Sequence, residues 1–492
     1  MGVILWRPEI DVMLKNLLSM SGMNVLKSGL QFAMTVMMTY FAGPAEFGLV
    51  TFSLPFVGFI ALLTDLGMSS AMVQRQTLDR DDAGAAITLI CAIGLLCAVI
   101  LAAISAPLAA GLEMEGLGSV LATLSISVVL SIAALGPRAV LERHLRYQVV
   151  ASVEIVGVIV SVLTCVLGAF LGWGVWALVS YYVVVQIVRA AAFAIIARKD
   201  VRLNFQWGRV RTILTFGGWV LASNLLNFAG RAVGNVLIGG AVSAAAVGLY
   251  GLAYQIMILP LMVITWPGSG VLMATLSRQA AKGSLKERNE IICGVLSLTA
   301  AVVFPGMLYL TFGADYLFTA FFPAKWTGII PLVGLMSIAG AAQSITAYSG
   351  AMLLSRGKAQ LQFWVSTANS ISTIVAFIIG LRFGLIGIIK IYLAVTLIVS
   401  VATMLITCWE TKLPVLDLVK ALAPATVATM LGLVAANRVM EMAATPKSAW
   451  MLGTTAYVLT IAISYLLFHR QLARSLLGLR DLELNKERVA AT

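Results

Sequence analysis

The chain has 492 residues, of which 60% are hydrophobic and only 11% are charged, and its formal net charge is +12. Charged residues usually make up about a quarter of a soluble domain, so the composition excludes a soluble globular protein and predicts a polytopic membrane protein. Two histidines, and five cysteines without the spacing of metal ligands, leave almost no material for a soft-metal site or a histidine relay. No metal or cofactor is expected.

A helix that crosses a bilayer needs about 20 mostly apolar residues. Dividing the chain at its charged and Gly/Pro-bearing stretches predicts an all-α protein with about fourteen such helices. Their predicted limits are 17–41, 47–73, 83–106, 117–137, 148–170, 174–197, 212–239, 246–276, 291–312, 327–354, 361–381, 384–408, 416–436 and 448–468.

Basic residues predict the orientation of these helices. Of the 33 Lys and Arg residues, four lie in the loops of one side, four lie at least six residues inside the predicted spans, and the other 25 lie in loops or at span ends on the side that both termini share. Cytoplasmic loops carry the excess of Lys and Arg, so both termini are predicted to be cytoplasmic. The positive net charge therefore reflects membrane orientation, and nucleic acid is not an expected partner.

The first part of the chain is similar to a later part, which indicates an internal repeat. Residues 21–56 run parallel to residues 217–256, with Gly48 aligned to Gly248, and "GWGVWAL" at 172–178 aligns with "RFGLIGI" at 382–388. The predicted unit has six helices, so both copies enter the membrane the same way round, as in transporters with parallel repeats. The alternative is that any two Gly/Ala-rich apolar segments look alike.

The predicted organisation is two six-helix bundles related by a parallel pseudo-two-fold axis, followed by two further helices. The limits are 1–16 for a cytoplasmic arm, 17–197 for the first bundle, 198–211 for a cytoplasmic linker, 212–408 for the second bundle, 409–468 for helices 13 and 14, and 469–492 for a cytoplasmic tail.

Four cations fall at least six residues inside the predicted spans: Lys27, Arg189, Arg231 and Lys390. Each would cost about 2.5–3.5 kcal/mol if it faced lipid near the bilayer centre, so we expect them to face protein or a water-filled cavity. Arg189 and Lys390 are also close enough to span ends to extend to the interface. Embedded acids are fewer, and Glu154 is interpreted as a residue at the headgroup level.

Asp65 is the other embedded acid, and it suits either an ion pair with one of these cations or the binding of a coupling proton or Na⁺. Polar residues on the same helices as Lys27 and Arg231 are candidates to line a cavity, although polar faces also hold membrane helices together. These residues are Asn24, Gln31, Asn224 and Asn227.

Several stretches resemble the polysaccharide exporter family, the Wzx-type oligosaccharide-lipid flippases of the multidrug/oligosaccharidyl-lipid/polysaccharide superfamily. They are "AEFGLVTFSLPF", "LERHLRY", "GWGVWALV" and "VGLYGLAYQI", in that order along the chain. Within the family, the likeness points to succinoglycan-like exopolysaccharide transport proteins. The resemblance implies a transporter rather than an enzyme, in the inner membrane of a bacterium.

The cargo implied by the resemblance is an oligosaccharide linked to undecaprenyl pyrophosphate, moved by alternating access for exopolysaccharide or O-antigen synthesis. Lys27, Arg189, Arg231 and Lys390 would bind its pyrophosphate, since Lys and Arg bind such groups. Membrane lipids, and a polysaccharide polymerase with its chain-length machinery, are the other partners implied. The alternatives are a cation-coupled multidrug antiporter of the same superfamily and, in another class, a membrane glycosyltransferase or polymerase.

Overall fold

The computed structural model describes residues 26–65, 80–198, 225, 228–279, 284–443 and 445–468. Within these ranges the chain is helical, with no β-strand. The helices are α1 (26–41), α2 (Pro44–Asp65), α3 (Arg80–Gly111), α4 (Leu117–Arg143), α5 (Tyr147–Phe170), α6 (Val175–Ala197), α7 (228–241), α8 (Ala244–Gln279), α9 (Leu285–Phe321), α10 (Ile330–Thr346, continued by Ser349–Leu354), α11 (Ala359–Gly380), α12 (Gly384–Thr411), α13 (Val415–Glu441) and α14 (Pro446–Phe468).

The predicted all-α membrane class is confirmed. The described residues contain 11 segments that are long and apolar enough to cross a membrane, and one of them, Ala359–Thr411, takes in both α11 and α12. Only 16 residues of α1 and 14 of α7 are described, which is fewer than a span requires. The total of fourteen spans and the two-fold relation of the bundles stay predictions.

The aligned glycines Gly174 and Gly384 have matching local structure. Gly174 directly precedes α6 with φ 56°, and Gly384 is the first residue of α12 with φ 68°. A residue with a side chain rarely adopts such angles, so both turns need glycine for the same reason. Because "GWGVWAL" and "RFGLIGI" were aligned on the sequence alone, this agreement supports the predicted repeat.

Gly48 of α2 and Gly248 of α8 lie against each other where these helices cross. A Cβ atom on Gly48 would overlap the carbonyl oxygen of Ala244, and a Cβ atom on Gly248 would overlap the carbonyl oxygen of Pro44. Each glycine therefore faces the residue four positions before its aligned partner. Exchanging the two helices preserves this contact, which is the arrangement expected on a local two-fold axis.

Contacts divide the chain into two compact units, 1–263 with 363–395 and 264–362 with 396–492. In the first unit, Ile90, Leu121 and Val128 are buried between α3 and α4. In the second, Leu272 and Leu296 belong to one buried cluster. The predicted bundles, 17–197 and 212–408, were defined by the sequence repeat and not by contacts between residues. Their limits are therefore not tested by this division and stay predictions.

Helix α8 contains a π-helical turn. The α-helical hydrogen bonding that begins at Ala244 gives way at Leu261–Thr265 to a π turn and resumes at Trp266. This turn lies between Pro260 and Pro267, and a proline within a helix removes one backbone hydrogen bond. Helix α2, by contrast, continues without interruption across Pro55.

Candidate functional site

Three cations converge on one buried carboxylate in the first unit. Lys27 Nζ lies 2.7 Å from Glu154 Oε2, and Arg189 Nη2 lies 2.7 Å from Glu154 Oε1. Arg138 Nη1 contacts the same Oε1 atom at 3.3 Å, and Arg138 Nε donates to Glu142 Oε1 at 2.7 Å. We call Lys27, Arg138, Glu142, Glu154 and Arg189 the cation cluster.

Four helices carry the cluster, and three of them place it at a similar depth. Arg138 lies five residues before the end of α4, Glu154 seven residues after the start of α5, and Arg189 eight residues before the end of α6. At 1.5 Å per residue these positions are about 8–12 Å from the helix ends. The same rise puts Lys27 about 21 Å from the C-terminal end of α1, so the cluster lies within the spans.

Close packing of α5 and α6 brings Arg189 to Glu154. Gly157 follows Glu154 by about one turn of α5 and faces α6, where an added Cβ atom would lie 3.5 Å from Val185 Cγ2 and 3.6 Å from Arg189 Cγ. A methyl group at this position would make ordinary van der Waals contacts with both side chains, so the two helices pack directly against each other here. Arg189 can therefore reach the carboxylate from the neighbouring helix.

The cluster contains three cations and two carboxylates, so it carries one excess positive charge. Its acid is the most enclosed member: the Glu154 side chain is 10% exposed, whereas those of Lys27 and Arg138 are each 33% exposed. A buried carboxylate is stable only when it is paired and hydrogen-bonded, and Glu154 has donors on both oxygens. The half-exposed cations remain accessible to a second anion.

Arg189 has donor capacity that the cluster does not use. Its Nη2 atom binds Glu154 and its Nη1 atom donates to Gln186 Oε1 at 3.1 Å. Its Nε atom is buried and has no hydrogen-bond partner among the described residues. A guanidinium presents its donors in a planar fork that matches carboxylate and phosphate oxygens.

The structure brings together only two of the four cations singled out from the sequence. Lys27 and Arg189 are in the cation cluster, whereas Arg231 of α7 and Lys390 of α12 are exposed. Neither of the latter forms an ion pair with a described residue. The acid bound to Lys27 is Glu154 of α5, which lies in a buried ion-pair network; its place at the headgroup level stays a prediction.

The structure describes two of the five other candidates that the sequence singled out. Gln31 is half-buried on α1, about one turn after Lys27, and Asp65 is half-buried at the last described position of α2. The other three candidates, Asn24, Asn224 and Asn227, lie outside the described residues.

Sequence reasoning missed Arg138 and Glu142. The predicted fourth span ended at 137, which assigned both residues to a cytoplasmic loop, but α4 continues to Arg143. Their spacing of four residues is the signal that was available, because oppositely charged residues at i and i+4 pair on a helix.

Comparison with known proteins places the chain among polysaccharide transport and biosynthesis proteins. It is 23% identical over 337 residues to the lipopolysaccharide biosynthesis protein WzxC of Escherichia coli, covering 68% of each chain. It is 26% identical over 309 residues to the teichuronic acid biosynthesis protein TuaB of Bacillus subtilis, covering 62% of this chain and 63% of TuaB. The succinoglycan biosynthesis transport protein ExoT of Rhizobium meliloti is 23% identical over 345 residues, covering 70% of this chain and 69% of ExoT.

Two solved structures share the fold. The lipid II flippase MurJ in an inward closed conformation matches with a TM-score of 0.76 at 16% identity, covering 93% of this chain and all of MurJ. An inward-facing multidrug resistance MATE transporter matches with a TM-score of 0.60 at 15% identity, covering 81% of this chain and 98% of the other. At such low identity the two matches establish the fold alone.

The family relationship comes from residues 37–331, which match the model of a family described as polysaccharide biosynthesis protein. These residues include α2 to α6 and most of the cation cluster. Since the match covers more than half of the chain, the protein belongs to this polysaccharide biosynthesis protein family.

Proposed function

We propose that the protein is a flippase for oligosaccharides linked to a polyprenyl pyrophosphate. It would move the complete repeat unit from the cytoplasmic to the outer leaflet for exopolysaccharide or O-antigen synthesis. The observation that carries the proposal is the cation cluster, which holds excess positive charge within the spans of a chain from a polysaccharide family. Membrane cations that are not paired one to one mark pathways for charged substrates.

The chemistry of the cluster suits the anionic part of such a cargo. A pyrophosphate diester carries about two negative charges and several acceptor oxygens, and Arg binds such groups in a bidentate manner while Lys acts as a point charge. Arg138 and Arg189 supply two forks, and Lys27 supplies the point charge. The polyprenyl tail would stay in lipid while the head group crosses.

The remaining candidates have roles in the same proposal. Arg231 and Lys390 are exposed cations that would attract the pyrophosphate or the sugar acids of the cargo. The side chains of Gln31, Asn24, Asn224 and Asn227 would hydrogen-bond sugar hydroxyls. Asp65 would bind a coupling ion or form an ion pair.

The transport mechanism that we propose is alternating access of two repeats, with the polymerase and chain-length machinery as partners that receive the cargo. A cation-selective antiporter would instead be expected to line its cavity with acids. The charge of the cation cluster therefore favours the flippase, even though multidrug MATE transporters share the fold.

A deletion strain tests the function directly. Loss of the protein should stop polymer export and should cause the complete lipid-linked repeat unit to accumulate on the inner leaflet, because assembly of the unit does not require the transporter. Lipid-linked sugars are extracted, sized and tested for access to a membrane-impermeant glycosidase. Reintroduction of the wild-type chain is the control. Accumulation of incomplete units would indicate a glycosyltransferase, and normal polymer would favour the drug antiporter.

Topology is the second prediction. We propose that the membrane is the bacterial inner membrane and that both termini are cytoplasmic, which follows from the 25 basic residues on one side. Reporter fusions at residue 205, which lies outside the described residues, and at Phe318 near the end of α9 should report opposite sides. Reporters on the same side would contradict the fourteen-span topology.

A further inference from the structure

Both oxygens of Glu154 are occupied by the cations that the proposed function assigns to the cargo. Lys27 contacts Oε2, while Arg189 and Arg138 contact Oε1. A carboxylate presents two acceptor oxygens to a guanidinium, as a phosphate group does. In the empty transporter the phosphate-binding groups therefore already hold an anion, and that anion belongs to the protein.

Glu154 balances part of the positive charge of the cation cluster. Without Glu154, the three cations would face only Glu142, which contacts Arg138 alone within the described cluster. Like charges held close together inside a membrane repel strongly. Without an anion between them, the three cations would therefore disfavour close packing of the helices that carry them. Glu154 lowers the charge of the cluster and makes the empty state stable.

We infer that Glu154 is a built-in counter-anion that fills the phosphate site of the empty transporter and is displaced from Lys27 and Arg189 by the pyrophosphate of the cargo. The inference rests on the proposed function. Glu154 does not touch the cargo and is a positioning residue that acts through the cations. Competition with Glu154 weakens cargo binding, so that the cargo can leave on the outer side, and its return to the cations accompanies release.

The inference is tested by pyrophosphate binding to the purified full chain in detergent, measured by isothermal titration with inorganic pyrophosphate and with undecaprenyl pyrophosphate. Glu154→Gln removes the competing charge and keeps the shape of the side chain. We expect its dissociation constant for both probes to fall by about tenfold, the effect of one charge-assisted hydrogen bond. Its maximal export rate should fall, because release becomes slow.

Glu142→Gln is the matched control. It removes the same charge from the same cluster, but Glu142 contacts only Arg138 there, so its effect on binding should be much smaller. Adding Lys27→Ala to Glu154→Gln should remove the gain in affinity, which a purely structural role of Glu154 would not predict. Should Glu154→Gln fail to fold, Glu154→Asp keeps the charge but shortens its reach, and we expect it to bind pyrophosphate more tightly than the wild type.

Unchanged or weaker pyrophosphate binding by Glu154→Gln and Glu154→Asp would overturn the inference, as would the absence of binding by every form of the protein. The proposed function is decided separately by the lipid-linked sugars of the deletion strain. If the complete repeat unit accumulates there but Glu154→Gln binds like the wild type, the flippase stands and the counter-anion does not.

Discussion

Replacing Lys27 or Arg189 by alanine is expected to abolish polymer export while the protein still accumulates in the membrane. Each replacement removes a charge-assisted hydrogen bond to the cargo, worth about 1.5–3 kcal/mol, which corresponds to about a 10- to 100-fold loss of affinity. Folding should persist because Glu154 keeps two of its three cationic partners. Exported polymer and the amount of membrane protein are measured in the deletion strain that carries each variant.

Charge reversal separates attraction from packing. Lys27→Glu and Arg189→Glu should be worse than alanine, since a carboxylate repels the pyrophosphate, and Lys27→Arg should be tolerated best. Arg382→Ala is the control, because Arg382 is a cation of the same chain that lies between α11 and α12, outside the cluster. Normal export by both glutamate variants would exclude the cluster from cargo binding, and loss of the protein itself would make the cluster structural.

Replacing Gly48 or Gly248 by alanine should strongly reduce stability. The added Cβ atom would overlap a backbone carbonyl oxygen of the other helix in either case. Backbone atoms have no rotamer that could relieve the overlap, so α2 and α8 must move apart. Overpacking of this kind costs about 1–3 kcal/mol, occasionally more. Thermal unfolding in detergent measures the effect, and the reciprocal geometry predicts similar losses for the two variants.

Gly294→Ala is the matched control for these replacements. Gly294 lies within α9, and an added Cβ atom there would have no heavy atom within 4 Å. Alanine is favoured over glycine in a helix by about 1 kcal/mol, so this variant should be at least as stable as the wild type. A Gly48→Ala protein as stable as Gly294→Ala would show that α2 and α8 do not pack against each other as described.

Much of the fold could be predicted because the bilayer restricts which short segments can cross it and which secondary structure they adopt. Apolar runs of about 20 residues must be helices, since lipid offers no partner for a backbone polar group. The limits of α5 and α6 are Tyr147–Phe170 and Val175–Ala197, within a residue of the predicted 148–170 and 174–197. The length of α4 was underestimated because its last six residues, unlike its middle, include charged residues.

The candidate site was only partly predictable, because its contacts join distant parts of the chain. The cost of burying a charge identified Lys27 and Arg189 as residues that must face something other than lipid. Choosing Glu154 as their common partner requires knowing which helices are neighbours, since Lys27 and Glu154 are 127 positions apart. Lys27 and Arg231 lie in the segments 21–56 and 217–256 that the repeat aligns, but similarity between helices does not ensure similar surroundings for their side chains.

The π turn in α8 is the place where this helix holds one residue more than an uninterrupted α-helix would. A π turn accommodates one more residue than an α turn, and each residue of an α-helix advances the direction of its side chain by about 100°. Leu272 and Leu276 follow the turn and are each only 1% exposed in the core of the second unit. Removing one residue between Leu261 and Thr265 would let this segment close as an ordinary α turn, so both leucines would still point into that core. Single-residue deletions should therefore be tolerated far more readily in this segment than in the regular α-helix between Trp266 and Leu272, where a deletion would rotate both leucines away from the core.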